Sequence, residues 1–226
     1  MQPIRSLGVS IAEKHLDPGE SLGEILFGLI MTLTFTLGAG LMVREDPNAA
    51  RDLLIATIGC NLAWGLIDGA MYVSGQIFER ARMARLGELV RRAATDEAAA
   101  AIIEKEFEEL LGVTVAPAER AEFHLRMARH VRASQPRPRG VTRGDLYGAI
   151  ASFWLVFFAS IPAALPFLFI RDAWTALRVS NAILIGLLFV AGFRWARHTA
   201  LRPWLAGLTF MVAGVALVGI AIALGG

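Results

Sequence analysis

The stretch from Ile55 to Arg80 reads IATIGCNLAWGLIDGAMYVSGQIFER. It is apolar and long enough to cross a bilayer as a helix, which takes about 20 residues. Yet Thr57, Asn61, Gly65, Asp68, Tyr72 and Gln76 fall three or four apart, so a helix gathers them on one face. Such a polar, glycine-notched face does not suit lipid. An ionisable side chain at membrane depth is costly unless it faces protein or water, which makes Asp68 a functional candidate.

The rest of the chain shares this character. Its 226 residues are 55% hydrophobic, with a mean hydropathy of +0.54, and the apolar residues come in long blocks. That excludes an ordinary soluble domain and predicts an all-α polytopic membrane protein. The net charge of +2 does not suggest a nucleic-acid partner, because the basic residues lie mostly between apolar segments. The single cysteine, Cys60, excludes a disulfide framework within the chain and a cysteine-based zinc site. There is no Gly-rich phosphate loop, no nucleophile elbow and no HExxH motif, so no enzymatic chemistry is expected.

Working outward, residues 1–20 read as a cytoplasmic lead with an interfacial helix over Ile4 to Leu16, stopped by Asp17-Pro18-Gly19. The lead lacks a signal-peptide hydrophobic region, so the first span is expected to act as its own targeting signal. That span covers about Ser21 to Val43 and carries Glu24, Gly28, Thr32, Thr36 and Gly40 every four residues, a second small-and-polar stripe. A polar loop over Arg44 to Asp52 leads to the second span, from about Leu53, whose helix runs on unbroken to Ala93. Its lower part, FERARMARLGELVRRA, is amphipathic. Thr95 is placed to cap a helix that ends at Gly112, and Pro117 to start another, to about Ala133. SQPRPRGVTRG is a stiff basic linker. Three more spans follow, at about Asp145–Ile170, Ala173–Phe193 and Trp204–Ala223. Pro162 and Pro166 are expected to kink or break the first of these.

The expected organisation is therefore residues 21–75 as spans one and two, 76–143 as a three-helix cytoplasmic module, and 144–226 as spans three to five. Arg5, Lys14, thirteen basic residues in 76–143, Arg194, Arg197 and Arg202 fall on one side; Arg44, Arg51, Arg171 and Arg178 fall on the other. This bias puts the N-terminus and the module in the cytoplasm and the C-terminus outside, with a bacterial inner membrane as the expected location. A faint internal echo pairs Gly23 to Gly28 with Gly144 to Gly148, and Asn61 to Arg82 with Asn181 to Arg197.

The layout of two spans, a helical insert and three spans resembles the vacuolar iron transporter family, the plant VIT and yeast CCC type proteins. EILFGLIMTLTF is similar to its first-helix motif, NLAWGLIDGAMYVSGQIFERAR to its second-helix signature, and FFASIPAALPFLF to its proline-bearing third helix. The resemblance implies a homodimer that exchanges ferrous iron or manganese for protons and collects metal on carboxylates and methionines of the cytoplasmic module. The glycine-notched faces also fit a dimer contact. Where the family's first helix carries an aspartate, Met31 stands here.

These observations select two sets of residues. Asp68, Glu24, Met31, Asn61, Tyr72 and Met71 are candidates for a transport path, because a carboxylate both ligates hard cations and carries protons. Glu104 and Glu108, one helical turn apart, with Glu97, Glu109, Glu122, His124 and Met127 are candidates for a metal site in the module, or else a solvated charged face. The expected function is a divalent cation transporter for ferrous iron or manganese, proton-coupled, with metal as cargo rather than as a permanently bound cofactor. The alternative is a non-transporting membrane scaffold in which Glu24 and Asp68 lock helix packing. The expected partners are lipid, metal ions and a second copy of the chain.

Overall fold

The computed structural model describes residues 18–40, 48–111, 116–135 and 140–224, apart from the side chains at 40, 108–111, 118 and 221–222. The lead over residues 1–17, the end of the first span and the start of the loop at 41–47, the stop at Gly112 and the centre of the linker at 136–139 lie outside the described residues. Seven helices occupy the rest: α1 (Pro18–Gly40), α2 (Ala49–Arg92), α3 (Asp96–Leu111), α4 (Pro117–Ala133), α5 (Arg143–Phe169), α6 (Ala173–Ala196) and α7 (Pro203–Ala223). Five of them, α1, α2, α5, α6 and α7, are long and apolar enough to cross a membrane, and they mark an integral membrane protein. Their outward surfaces agree: Leu66, Met71, Phe169 and Trp204 are all more than 60% exposed, which lipid tolerates and water does not.

Two boundaries differ from the sequence expectation. Helix α1 starts at Pro18 rather than Ser21, because proline suits a first helical turn as well as a stop. Helix α2 starts at Ala49 rather than Leu53, because Ala49 and Ala50 pack with Leu53 against Phe167, Ala173, Ala176 and Leu177. Helix α5 is not broken at Pro162 or Pro166 but continues to Phe169. In an apolar surrounding a broken helix would strand its backbone polar groups, so the ladder persists around the missing donors. Ser160 and Ser180 hydroxyls donate to the carbonyls of Phe157 and Ala163 at 2.7 Å nearby.

The chain divides into two compact units. Residues 1–73 with 143–226 form one, and Ser74–Thr142 the other, with α2 continuing from the first into the second. In the first unit α1 is central. Leu26, Leu29, Leu33 and Leu37 pack against Ala163 of α5 and Leu184, Leu188 and Ala191 of α6. Its opposite, small face lets α5 approach: a Cβ on Gly28 would come within 2.8 Å of the Val156 carbonyl oxygen. Helix α7 is buried mainly at Gly207 and Gly214, where it crosses Phe189 and Leu188 of α6. Close backbone approach of this kind supplies the van der Waals contact that replaces a hydrophobic drive inside a membrane.

In the second unit Val90, Ala99, Ile103 and Ala128 form a small core. Thr95 caps α3, accepting from the Ala98 amide at 3.1 Å. Arg129 and Arg132 of α4 both donate to Asp96 at 2.9 Å, tying the start of α3 to α4.

Candidate functional site

The polar faces of α1 and α2 meet in antiparallel register. The Thr32 hydroxyl reaches the Asn61 side-chain oxygen at 2.8 Å, with the Gly28 carbonyl at 2.7 Å as a second acceptor. Asn61 donates in turn to the Thr57 carbonyl at 2.8 Å. Two turns along, about 10 Å by helical rise, the carboxyls of Glu24 and Asp68 lie within hydrogen-bonding reach of each other. Asp68 is buried and Glu24 half-buried. Two carboxylates this close repel each other, and a shared proton or a cation relieves such repulsion.

Helix α5 completes the site. The Ser152 hydroxyl donates to Asp68 Oδ2. It can do so because α2 is notched where α5 crosses it: a Cβ on Gly69 would stand 3.0 Å from the Ala149 carbonyl oxygen, and one on Gly65 would stand 2.8 Å from the Phe153 ring. The fit is reciprocal at Gly148, where a Cβ would stand 2.2 Å from the Tyr72 ring. The glycine notches at Gly28, Gly65 and Gly69 are thus close-approach points within the chain, whereas a Cβ on Gly75 would meet nothing within 4 Å.

The sequence reading did not single out Ser152, Gly148 or the buried Asp145 of α5. The signal was present: Asp145, Gly148, Ser152 and Val156 repeat at three and four, as the α1 and α2 stripes do, and all four are buried. Asn181 of α6 was noticed only as an echo of Asn61. It accepts from the Thr36 hydroxyl at 2.8 Å, so both asparagines serve threonines one turn apart on α1. The resulting seam has two buried polar atoms without a hydrogen-bond partner among the described residues, Thr57 Oγ1 and Asn181 Nδ2.

Of the expected path residues, Glu24, Asp68 and Asn61 lie in the seam. Tyr72 lies beside it, with its ring on Gly148. Met31 is half-buried, off the Gly28–Thr32–Thr36 face. Met71 is 62% exposed and takes no part, because its neighbours Tyr72 and Asp68 occupy the inward face.

The described members of the metal set in the second unit are not brought together. Among the described residues no three His, Cys, Asp or Glu side chains converge as a metal site. Glu97, Glu104 and Glu122 are exposed, and Glu122 pairs with Arg126. His124, two residues on, faces the other way and is buried, with neither ring nitrogen hydrogen-bonded among the described residues. Met127 packs on the core. Glu108 and Glu109 belong to α3, and their side chains lie outside those described. Arginines take several of the carboxylates instead: Arg82 pairs with Glu79 and Glu106, and Arg92 with Glu88.

No family model matches the chain, and no curated protein matches it. The site therefore stands on its own geometry. Two carboxyls and a hydroxyl supply hard oxygen, the donor type that suits protons and divalent cations such as manganous, ferrous or magnesium ions. No sulfur ligand joins Glu24 and Asp68 to favour a soft metal over these.

Proposed function

We propose that this chain is a proton-coupled divalent cation transporter, with Glu24 and Asp68 as the carrier pair and ferrous or manganous ion as cargo. The observation that carries this reading is the juxtaposition of the two carboxyls inside a bundle of apolar helices, with Ser152 on Asp68. A pair that requires either a proton or a cation exchanges one for the other as its natural chemistry. The local resemblance of α1, α2 and α5 to the vacuolar iron transporter family supports the choice of ion. The distribution of arginines supports a cytoplasmic location for the N-terminus and for Ser74–Thr142, and an external C-terminus.

A second reading has its own observation. Asp68 is buried and already accepts from Ser152, as a structural carboxyl would. On that reading the chain is a membrane scaffold and the pair fixes helix packing.

Flux separates the two. Purified protein in liposomes is expected to move ferrous or manganous ion and to dissipate an imposed pH gradient, and Asp68→Asn and Glu24→Gln to abolish both. Folded, inserted protein that moves neither ion, or flux that survives both substitutions, overturns the transporter reading.

A further inference from the structure

The turn between α6 and α7 carries charge that no carboxylate balances among the described residues. No Asp or Glu follows Asp172 through Gly226, whereas Arg178, Arg194, Arg197 and Arg202 do. Arg178 lies over the Trp174 ring, 5.5 Å from its centroid. The other three fall within nine residues at the end of α6 and the start of α7, all are exposed, and none pairs with a carboxylate among the described residues. Backbone bonds hold the turn: the amides of Arg197, His198 and Thr199 donate to the carbonyls of Arg194, Trp195 and Ala196. Directly beside it lies an aromatic cluster. The Trp204 ring is 5.4 Å from Phe189 and 5.6 Å from Phe193, and Trp204 is 71% exposed.

Guanidinium groups on a fixed turn, with rings one and two helical turns deeper on α6, match the layering of a phospholipid. Arginine pairs with phosphate oxygens in a planar, bidentate manner, and aromatic rings favour the boundary between headgroup and acyl chain. We propose that the α6–α7 turn binds an anionic phospholipid. Arg194, Arg197 and Arg202 hold its phosphate, and Phe189, Phe193 and Trp204 lie along its acyl chains. This goes beyond the transport reading and does not depend on it.

The test uses the full chain in a neutral detergent, titrated with phosphatidylglycerol or phosphatidylcholine, with bound lipid counted by native mass spectrometry. Phosphatidylglycerol is expected to be retained over phosphatidylcholine. Each of Arg194→Gln, Arg197→Gln and Arg202→Gln is expected to weaken its binding about fivefold, and the three together about a hundredfold. The three corresponding lysine substitutions keep the charge but not the bidentate fork, and are expected to weaken binding less than the glutamine substitutions. Arg171→Gln with Arg178→Gln, at the other end of α6, leaves it unchanged. Unchanged binding in the glutamine variants overturns the proposal, and so does equal retention of the two lipids. Displacement of the lipid by millimolar glycerol phosphate overturns it too, since the site would then take free phosphate. Should the triple glutamine variant not fold, the three single variants decide by the same criteria.

Discussion

Replacing Gly148 by alanine tests the packing that holds Ser152 against Asp68. A Cβ at this position would stand 2.2 Å from one Tyr72 ring carbon, 2.4 Å from the next and 2.5 Å from the hydroxyl oxygen. Carbon atoms settle at roughly 3.5 Å. The ring or the whole of α5 must therefore retreat by more than about 1 Å, and Ala151 of α5 already packs on the same ring. Overpacking of this size costs about 1–3 kcal/mol. Gly186 of α6 is the internal control, because a Cβ there meets nothing within 4 Å. Gly186→Ala keeps its contacts and gains about 0.5–1 kcal/mol of helix propensity. The same chemical change at two helical glycines is thus expected to act with opposite sign. The assay is unfolding of the full chain in mixed micelles with rising dodecyl sulfate, followed by loss of helical circular dichroism. Combining Gly148→Ala with Tyr72→Leu removes the obstructing ring and is expected to return about 1 kcal/mol or more as coupling. Equal effects of Gly148→Ala and Gly186→Ala, or purely additive behaviour with Tyr72→Leu, would refute the α2–α5 contact as described.

Three further outcomes are expected. Arg129, together with Arg132, holds the Asp96 carboxyl below the usual carboxylate range. Its contribution is complete above the unfolded-state value, about 3.9, and is lost as pH falls through the lower folded-state value; acid melts of Asp96→Asn are expected to lack that part of the wild-type loss, and superimposable profiles would discount the contact. His124→Leu removes two unpartnered buried nitrogens and is expected to stabilise the Ser74–Thr142 unit by about 1–2 kcal/mol; a lower melting temperature would show that the imidazole has a partner. Thr32→Val deprives Asn61 of a donor and is expected to cost about 1 kcal/mol, whereas Thr57→Val removes an unpartnered hydroxyl and is expected to cost nothing. Equal losses in the micelle series would place a hydrogen-bond partner on Thr57.

The spans and the two polar stripes were legible because they are periodic. Spacings of three and four fix a helix face whatever the helix packs against, so Thr32, Asn61, Glu24 and Asp68 could be grouped before their contacts were known. What covers such a face is not periodic in the same stretch. Ser152 serves Asp68 from 84 positions away, and Asn181 serves Thr36 from 145, and no local rule links them. Glycine has the same limit. Gly65 and Gly69 announce a close neighbour, but the neighbour is α5 of the same chain. In the second unit spacing allowed either a metal set or a solvated charged face. Adjacent helices instead bring arginines to the carboxylates, and the 200° turn between Glu122 and His124 sets one outward and the other inward.

The chain thus keeps its carboxyls in two chemical settings, and the contrast decides where a cation could be handled. In the Ser74–Thr142 unit Glu79, Glu88, Glu106 and Glu122 each meet a guanidinium, and Asp96 meets two. A divalent ion arriving at these five would have to displace a partner already in place, whereas Glu97 and Glu104 are exposed without an ion pair among the described residues. In the bundle Glu24 and Asp68 meet each other, and Ser152 donates a hydrogen bond but brings no positive charge. Their mutual repulsion is relieved only by a proton or a cation. The sequence resemblance implies metal collection in the module, whereas the proposed carrier pair lies in the membrane seam. Substitutions in the module are therefore expected to act on stability, and those at Glu24 and Asp68 on flux.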